Sequence, residues 1–253
     1  MPVHPDYGYP WWLTYGHLVV TIVTAPLWVI GLKRRWPRVL LVLIGAVTLW
    51  SVAAFLVARF ALNVNGPLRL PTEHFVESGT GRVLDVGAGT GRSTVMVLDA
   101  RPHVTAVALD LFRESFDHHF GHEGSAVERL RSNLRAAGVD ARAAIQPGDM
   151  RHLPFEPDSF DAVVSTYAMD HVGRDDSRLA VREAARVLKP GGEFLLMVLA
   201  KDAWLNFTFG PLLLHGGLRG EGWWHEALQA AGFAVAESGT RPATLYFLAR
   251  KPR

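Results

Sequence analysis

No cysteine occurs among the 253 residues, which excludes disulfides, cysteine–zinc sites and a cysteine nucleophile. Net charge is also small, at +2, and it is unevenly placed. Residues 1–62 carry Lys33, Arg34, Arg35, Arg38 and Arg59 against Asp6 alone, which leaves 21 basic and 23 acidic groups in the rest. A slightly acidic main body lacks the basic face that a nucleic-acid partner requires, so no nucleic acid is expected. Internal repeats and low-complexity segments are absent. What is present in quantity is apolar: 49% of residues are hydrophobic and only 20% charged, the composition of a folded chain.

Two stretches contain no charge at all. Leu13–Leu32 and Val39–Ala58 are each 20 residues long, and as helices each would reach about 30 Å, the thickness of a bilayer's hydrocarbon. Trp11 and Trp12 precede the first, and Lys33-Arg-Arg-Trp-Pro-Arg38 joins the two as a basic, aromatic, interfacial loop. The first run has no basic region ahead of it and no clear small-residue cleavage site, which argues against a signal peptide. The pattern predicts a membrane hairpin over residues 1–62, either spanning or entering one leaflet and returning. Basic loops favour the cytoplasm. If both helices span, that rule would put the remainder of the chain outside, in conflict with the cofactor that the motifs further along the chain imply. The cofactor carries more weight, and a cytoplasm-facing domain is expected. Residues 63–80 read as a connector, with a turn at Asn65-Gly-Pro67 and a short helix over Pro71–Glu77.

From residue 81 to 253 apolar runs of strand length alternate with helical segments. Strands are expected at Val83–Val86, Val104–Leu109, Ala141–Gln146, Phe160–Ser165, Glu193–Leu199, Phe233–Glu237 and Thr244–Ala249. Helices are expected over Gly91–Ala100, Ser125–Ala137, Asp175–Leu188 and Glu221–Ala231. Alternating β and α predicts an α/β fold with a seven-stranded, mostly parallel sheet. The last two strands lack an intervening helix and predict an antiparallel hairpin at one edge.

The first strand runs into Asp85-Val-Gly-Ala-Gly-Thr-Gly91, a glycine turn ahead of a helix. Glycines let the backbone turn sharply and approach a ligand closely. The dinucleotide fingerprint G-x-G-x-x-G would need a glycine at 92, where Arg92 stands. The second strand ends at Asp110, placed to accept both hydroxyls of a ribose. The third leads to Gly148-Asp149-Met150, where Asp149 is a candidate acceptor for an adenine amine and Met150 for the ring face.

The glycine turn resembles motif I of the class I S-adenosylmethionine (SAM) methyltransferases. Gly148-Asp-Met-Arg-His-Leu-Pro-Phe-Glu-Pro-Asp-Ser-Phe-Asp-Ala-Val-Val-Ser165 is similar to a segment of small-molecule SAM methyltransferases, including those of ubiquinone and menaquinone biosynthesis. Arg182-Glu-Ala-Ala-Arg-Val-Leu-Lys-Pro-Gly-Gly192 resembles their R-x-L-K-P-G-G turn. The resemblance covers residues 79–200 well and the last fifty loosely. It implies a Rossmann-like fold, SAM as cofactor, and a cofactor site drawn from Asp85, Gly87, Ala88, Gly89, Gly91, Asp110, Leu111, Asp149, Met150 and Ser165. Two segments depart from the pattern: the N-terminal hairpin, and the long run Leu111–Gly124, a candidate entrance or lid.

Methyl transfer is an in-line displacement that needs approach geometry, and a base where the nucleophile carries a proton. Tyr167, Asp170 and His171, after the fourth strand, are the catalytic candidates. The alternative for the last two is that Asp170 caps the next helix and His171 lies on the surface. His118, His119 and His122 lack a partner at a defined spacing, so no metal is expected. The apolar stretch Trp204–Leu214, with Trp223 and Trp224, lines a substrate pocket, rests on a bilayer or packs in the core. Together these readings predict methyl transfer to a hydrophobic or membrane-resident small molecule or lipid. The alternatives are a soluble acceptor, with the hairpin serving only location, and a SAM-binding membrane protein without catalysis.

Overall fold

The computed structural model describes residues 5–112, 126–210 and 218–253. Most of the run Leu111–Gly124, including His118, His119 and His122, lies outside the described residues, as does the end of Trp204–Leu214.

Seven strands form one sheet in the order β3-β2-β1-β4-β5-β7-β6. These are β1 (Thr80–Val86), β2 (His103–Asp110), β3 (Ala143–Pro147), β4 (Phe160–Thr166), β5 (Leu188–Leu199), β6 (Ala234–Arg241) and β7 (Thr244–Arg250). The first five are parallel, and β7 inserts antiparallel between β5 and β6. Both faces are covered, so the central strands are mostly apolar rather than alternating. Leu84, Val86, Val163 and Leu196 face one core layer with Trp224 and Leu228, while Val83, Ala106, Val164 and Met197 face the other with Val97 and Leu130. The covering helices are α3 (Arg92–Ala100), α4 (Ala126–Ala136), α5 (Arg174–Val187) and α7 (Glu221–Ala230).

Ahead of the sheet stand α1 (Trp11–Lys33) and α2 (Arg38–Leu56), the latter prolonged by a π-helical turn over Val57–Ala61. Both helices are long and apolar enough to cross a membrane. Their burial is inverted relative to a soluble helix pair. Thr14 and Gly31 are the buried residues of α1, Ser51 and Ala54 those of α2. Ile22, Val39, Val42 and Leu49 project outward. Hydroxyls are satisfied internally: Thr21 Oγ1 meets Ser51 Oγ across the pair at 2.8 Å, and Thr24 and Thr48 donate to carbonyls one turn back.

Two expectations are corrected. Pro71–Glu77 is a run of turns, not a helix. Side chains hold its backbone groups instead of a helical ladder: Arg101 donates to the carbonyls of Glu73 and Phe75, and Glu193 accepts from the Val76 N–H. Val76 also takes a positive φ of 49°, which no α-helix contains. The second correction concerns Lys189-Pro-Gly-Gly192, which lies inside β5. A register shift absorbs the extra residues, with Phe160 opposite Leu188 but Ala162 opposite Glu193.

Candidate functional site

Strands β1 to β4 bring their carboxyl ends together, and the glycine turn sits among them. Gly87, Gly89 and Gly91 have φ of 77°, 51° and 90°, a region that costs a side chain about 1–2 kcal/mol. At Gly87 space is closed too, since a Cβ there would lie 2.2 Å from the Ala168 Cβ. Four of the turn's N–H groups are occupied. Gly87 and Ala88 donate to the Leu109 carbonyl, Gly89 to Asp110 Oδ2 and Gly91 to the Ala88 carbonyl. A turn with most of its donors taken by the protein makes a poor phosphate nest and suits a nucleoside ligand that carries no pyrophosphate.

Asp85 is fully buried. Both its oxygens accept from Ser93 Oγ, at 2.9 and 2.7 Å, and Oδ2 accepts from Thr94 Oγ1 at 2.5 Å. Burial pushes its pKa up to about 6, against the pull of those hydroxyls. The carboxylate therefore clamps the first turn of α3 onto the strand beneath it. Ser165 is likewise fully buried and donates to the Val86 carbonyl at 2.8 Å, bracing β4 against the end of β1.

Asp110 stands at the rim of the turn. Its Oδ2 accepts from Gly89 N–H and its Oδ1 from Phe112 N–H at 3.2 Å, with Leu111 forming the bend between. Burial raises its pKa. Carboxylate oxygens accept more than one bond each, so both retain capacity for ribose hydroxyls. Asp149 is held from the side by Arg151, whose Nε and Nη2 reach Oδ1 and Oδ2 at 3.0 and 2.7 Å. That pairing lowers the Asp149 pKa. Arg151 also reaches Asp176 on α5 at 3.3 Å, which ties this corner to the helix layer. Met150 packs against the core beside it, and its Cε would lie 3.6 Å from a Cβ at Gly87, which places it at the turn.

The three catalytic candidates part company. Tyr167 has a positive φ of 51°, unusual for a bulky residue and frequent at functional sites. Its hydroxyl meets Thr244 Oγ1 at 2.7 Å, and burial raises its pKa, so it stays a neutral phenol. Asp170 is buried; Oδ2 accepts from the Leu199 N–H at 2.9 Å, while Oδ1 has no hydrogen-bond partner among the described residues. Gly173, not Asp170, stands at the N-terminus of α5. His171 is exposed.

Beyond the end of β5 lies a cavity of about 630 Å³, bounded by Ala200, Trp204, Leu218, Arg219, Pro242 and Leu245. Arg219 is 6% exposed, donates to the carbonyls of Met169, Asp170 and Val172, and lies 4.8 and 5.4 Å from the ring centres of Trp223 and Trp224. It joins the cavity wall to the loop after β4. The sequence singles out the tryptophan pair but not the arginine between the pair and that loop. Thr244 escapes sequence reasoning as well, because nothing local marks a residue whose partner, Tyr167, is 77 positions away.

Sheet order, glycine turn and the acids at the ends of β2 and β3 together define a Rossmann-like nucleoside-binding domain. Residues 83–192 match the methyltransferase domain family. An uncharacterized methyltransferase, YcgJ, of Bacillus subtilis is 38% identical over 117 residues, covering 46% of this chain and 40% of that protein. A ubiquinone/menaquinone biosynthesis C-methyltransferase, UbiE, of Bartonella tribocorum is 34% identical over 137 residues, covering 53% and 48%. The chain thus spans less than half the length of these relatives. A SAM-dependent methyltransferase of Methanosarcina mazei has the same fold, with a TM-score of 0.57 at 16% identity over 74% of this chain and 99% of that one. So does the [4+2]-cyclase SpnF, with a TM-score of 0.54 at 21% identity over 71% and 77%. Residues 83–192 thus match a methyltransferase domain, and the cofactor that this match implies is SAM.

Proposed function

We propose that this chain is a membrane-anchored enzyme that moves the SAM methyl group to a hydrophobic or membrane-resident small molecule or lipid. In that reading α1 and α2 form a membrane hairpin, residues 63–80 connect it, and residues 81–253 carry out the chemistry, facing the cytoplasm. The observation that carries it is the way the acceptor side of the domain meets the hairpin. The short helix α6 (Ala203–Phe209) leaves the end of β5, borders the 630 Å³ cavity and docks on the two apolar helices. Its Thr208 carbonyl meets His17 Nε2 at 2.7 Å, and its Phe207 carbonyl accepts from Trp50 Nε1 at 3.0 Å. Trp204 and Phe207 remain 46% and 42% exposed, and Trp11 and Trp12 at the start of α1 are also exposed. Exposed aromatics beside an apolar hairpin suit a membrane interface.

SAM, when bound, supplies an electrophilic sulfonium methyl. The residues around it hold and position. Gly87–Gly91 give close backbone approach, Asp110 accepts from the ribose, and Asp149 with Met150 receives the adenine. Asp85 and Ser165 contribute by fixing the turn and the strand end rather than by contact. Tyr167 stays protonated and orients the acceptor. Asp170, with one buried oxygen unpartnered, is the group best placed to take a proton from a hydroxyl, thiol or amine.

The test uses the full chain in phospholipid nanodiscs with methyl-labelled SAM. Label is expected in the organic-soluble fraction of a membrane extract, and Asp110→Ala is expected to abolish it. Label confined to water-soluble acceptors would replace the lipophilic substrate with a soluble one. SAM binding with no turnover on any acceptor would leave a non-catalytic SAM-binding protein.

A further inference from the structure

Arg92 follows the last glycine of the turn, and its guanidinium holds both ends of the hairpin. Towards the hairpin's exit, Nε donates to the Gly66 carbonyl at 2.8 Å and Nη2 to the Asn63 carbonyl at 2.7 Å. Towards its entry, the same group lies 5.9 and 5.4 Å from the ring centres of Tyr7 and Tyr9. The entry segment is fixed on the turn by further bonds. Thr90 Oγ1 donates to the Tyr7 carbonyl at 3.0 Å. Asn133 accepts from Asp6 N–H at 2.8 Å and returns its amide to the carbonyls of Asp6 and Thr90, both at 2.9 Å. Tyr7 is only 1% exposed, although it belongs to a short segment outside any helix or strand. The segment therefore lies against Thr90 and Arg92, where the glycine turn enters α3, and against Asn133 in the last turn of α4.

We propose that residues 5–10 are a strap that closes the methyl-donor cradle, and that Arg92 is the positioning residue that latches this strap to the hairpin's exit. The proposal rests on the SAM reading of the cradle. The planar guanidinium fork gives two parallel donors to the carbonyls and a flat face to the tyrosines, which a lysine ammonium cannot do at once. The donor leaves only when the strap lifts, and lifting it disturbs contacts at both ends of the hairpin. Donor exchange and the seating of α1 and α2 thus become one movement.

The experiment uses the full chain in nanodiscs of phosphatidylcholine and phosphatidylglycerol. SAM dissociation is followed by stopped flow, and amide exchange at residues 5–10 with and without SAM. SAM is expected to slow exchange at Asp6–Tyr9 in the wild type. Arg92→Lys and Tyr9→Ala are each expected to raise the dissociation rate about tenfold with little change in association. Tyr9→Ala carries the test alone if Arg92→Lys does not fold. Wild-type SAM binding with exchange at residues 5–10 unchanged, and dissociation within twofold of wild type in the variants, would overturn the strap. Failure of the wild type to bind SAM at all would overturn the donor reading instead.

Discussion

Replacing Gly87 by alanine tests the cradle most directly, because its cost divides into two parts that can be separated. The φ of 77° imposes about 1–2 kcal/mol on any side chain. The added Cβ also falls 2.2 Å from the Ala168 Cβ, and relieving such an overlap in a packed site costs about 1–3 kcal/mol. If the turn keeps its path, the sum of about 2–5 kcal/mol appears as lost stability, a fall in melting temperature on the order of 5–15 °C. If the turn moves, the cradle opens and SAM affinity falls instead. Ala168→Gly removes one partner of the overlap, after which the next neighbours, Met150 Cε and the Ala168 Cα, lie at 3.6 and 3.7 Å, ordinary contact distances. The double variant is therefore expected to recover the overlap cost, a coupling of about 1–3 kcal/mol, but not the φ cost. Melting curves and SAM titration calorimetry on the four proteins measure it. Additive effects of the two substitutions would refute the reasoning, and so would a Gly87→Ala protein with unchanged melting and affinity.

The remaining predictions concern two buried groups. Burial raises the Asp85 pKa to about 6, so below the unfolded value near 4 the carboxyl is protonated in both states and carries no penalty. The folded state is disfavoured progressively as pH rises from there to 6. The stability of Asp85→Asn relative to wild type is therefore expected to improve by about 3 kcal/mol between pH 4 and pH 7 in denaturant titrations; a pH-independent difference would contradict the assignment. The Tyr7 hydroxyl is buried with no hydrogen-bond partner among the described residues. Tyr7→Phe is thus expected to hold or raise the melting temperature, since a donor left unsatisfied costs about 1–3 kcal/mol; a loss of several degrees would mean that the hydroxyl is satisfied.

Most of the sheet is legible in the sequence because the central strands are built on apolar runs, two of which close at Gly87 and Asp110. The same applies to Asp110 and Asp149, whose place at strand ends follows from strand length alone. Pro71–Glu77 misleads because its composition suits a helix, while distant side chains from Arg101 and Glu193 hold its carbonyls and N–H groups. Asp85 reads by sequence as a cofactor ligand. Its partners, Ser93 and Thr94, stand only eight and nine residues on, but their direction depends on how α3 leaves the turn. Arg92 reads by sequence only as the absence of a glycine. Its contacts with Asn63, Gly66, Tyr7 and Tyr9 join polar loop residues across the whole hairpin, and neither periodicity nor propensity records such a contact.

The pairing of Asp6 and Tyr7 with Asn133 and Thr90 bears on how the chain is made. Synthesis delivers the strap long before its seat, with some eighty residues separating Tyr7 from Thr90 and more than a hundred separating Asp6 from Asn133. In the interval both apolar helices have left the ribosome. If they enter a bilayer then, the strap must wait on the same side on which the domain will fold, or it never reaches Thr90. An insertion error that carried residues 5–10 across the membrane would yield a domain with an intact sheet and an open cradle. Correct orientation of the hairpin would then be a condition of assembling the donor site, checked once, at birth.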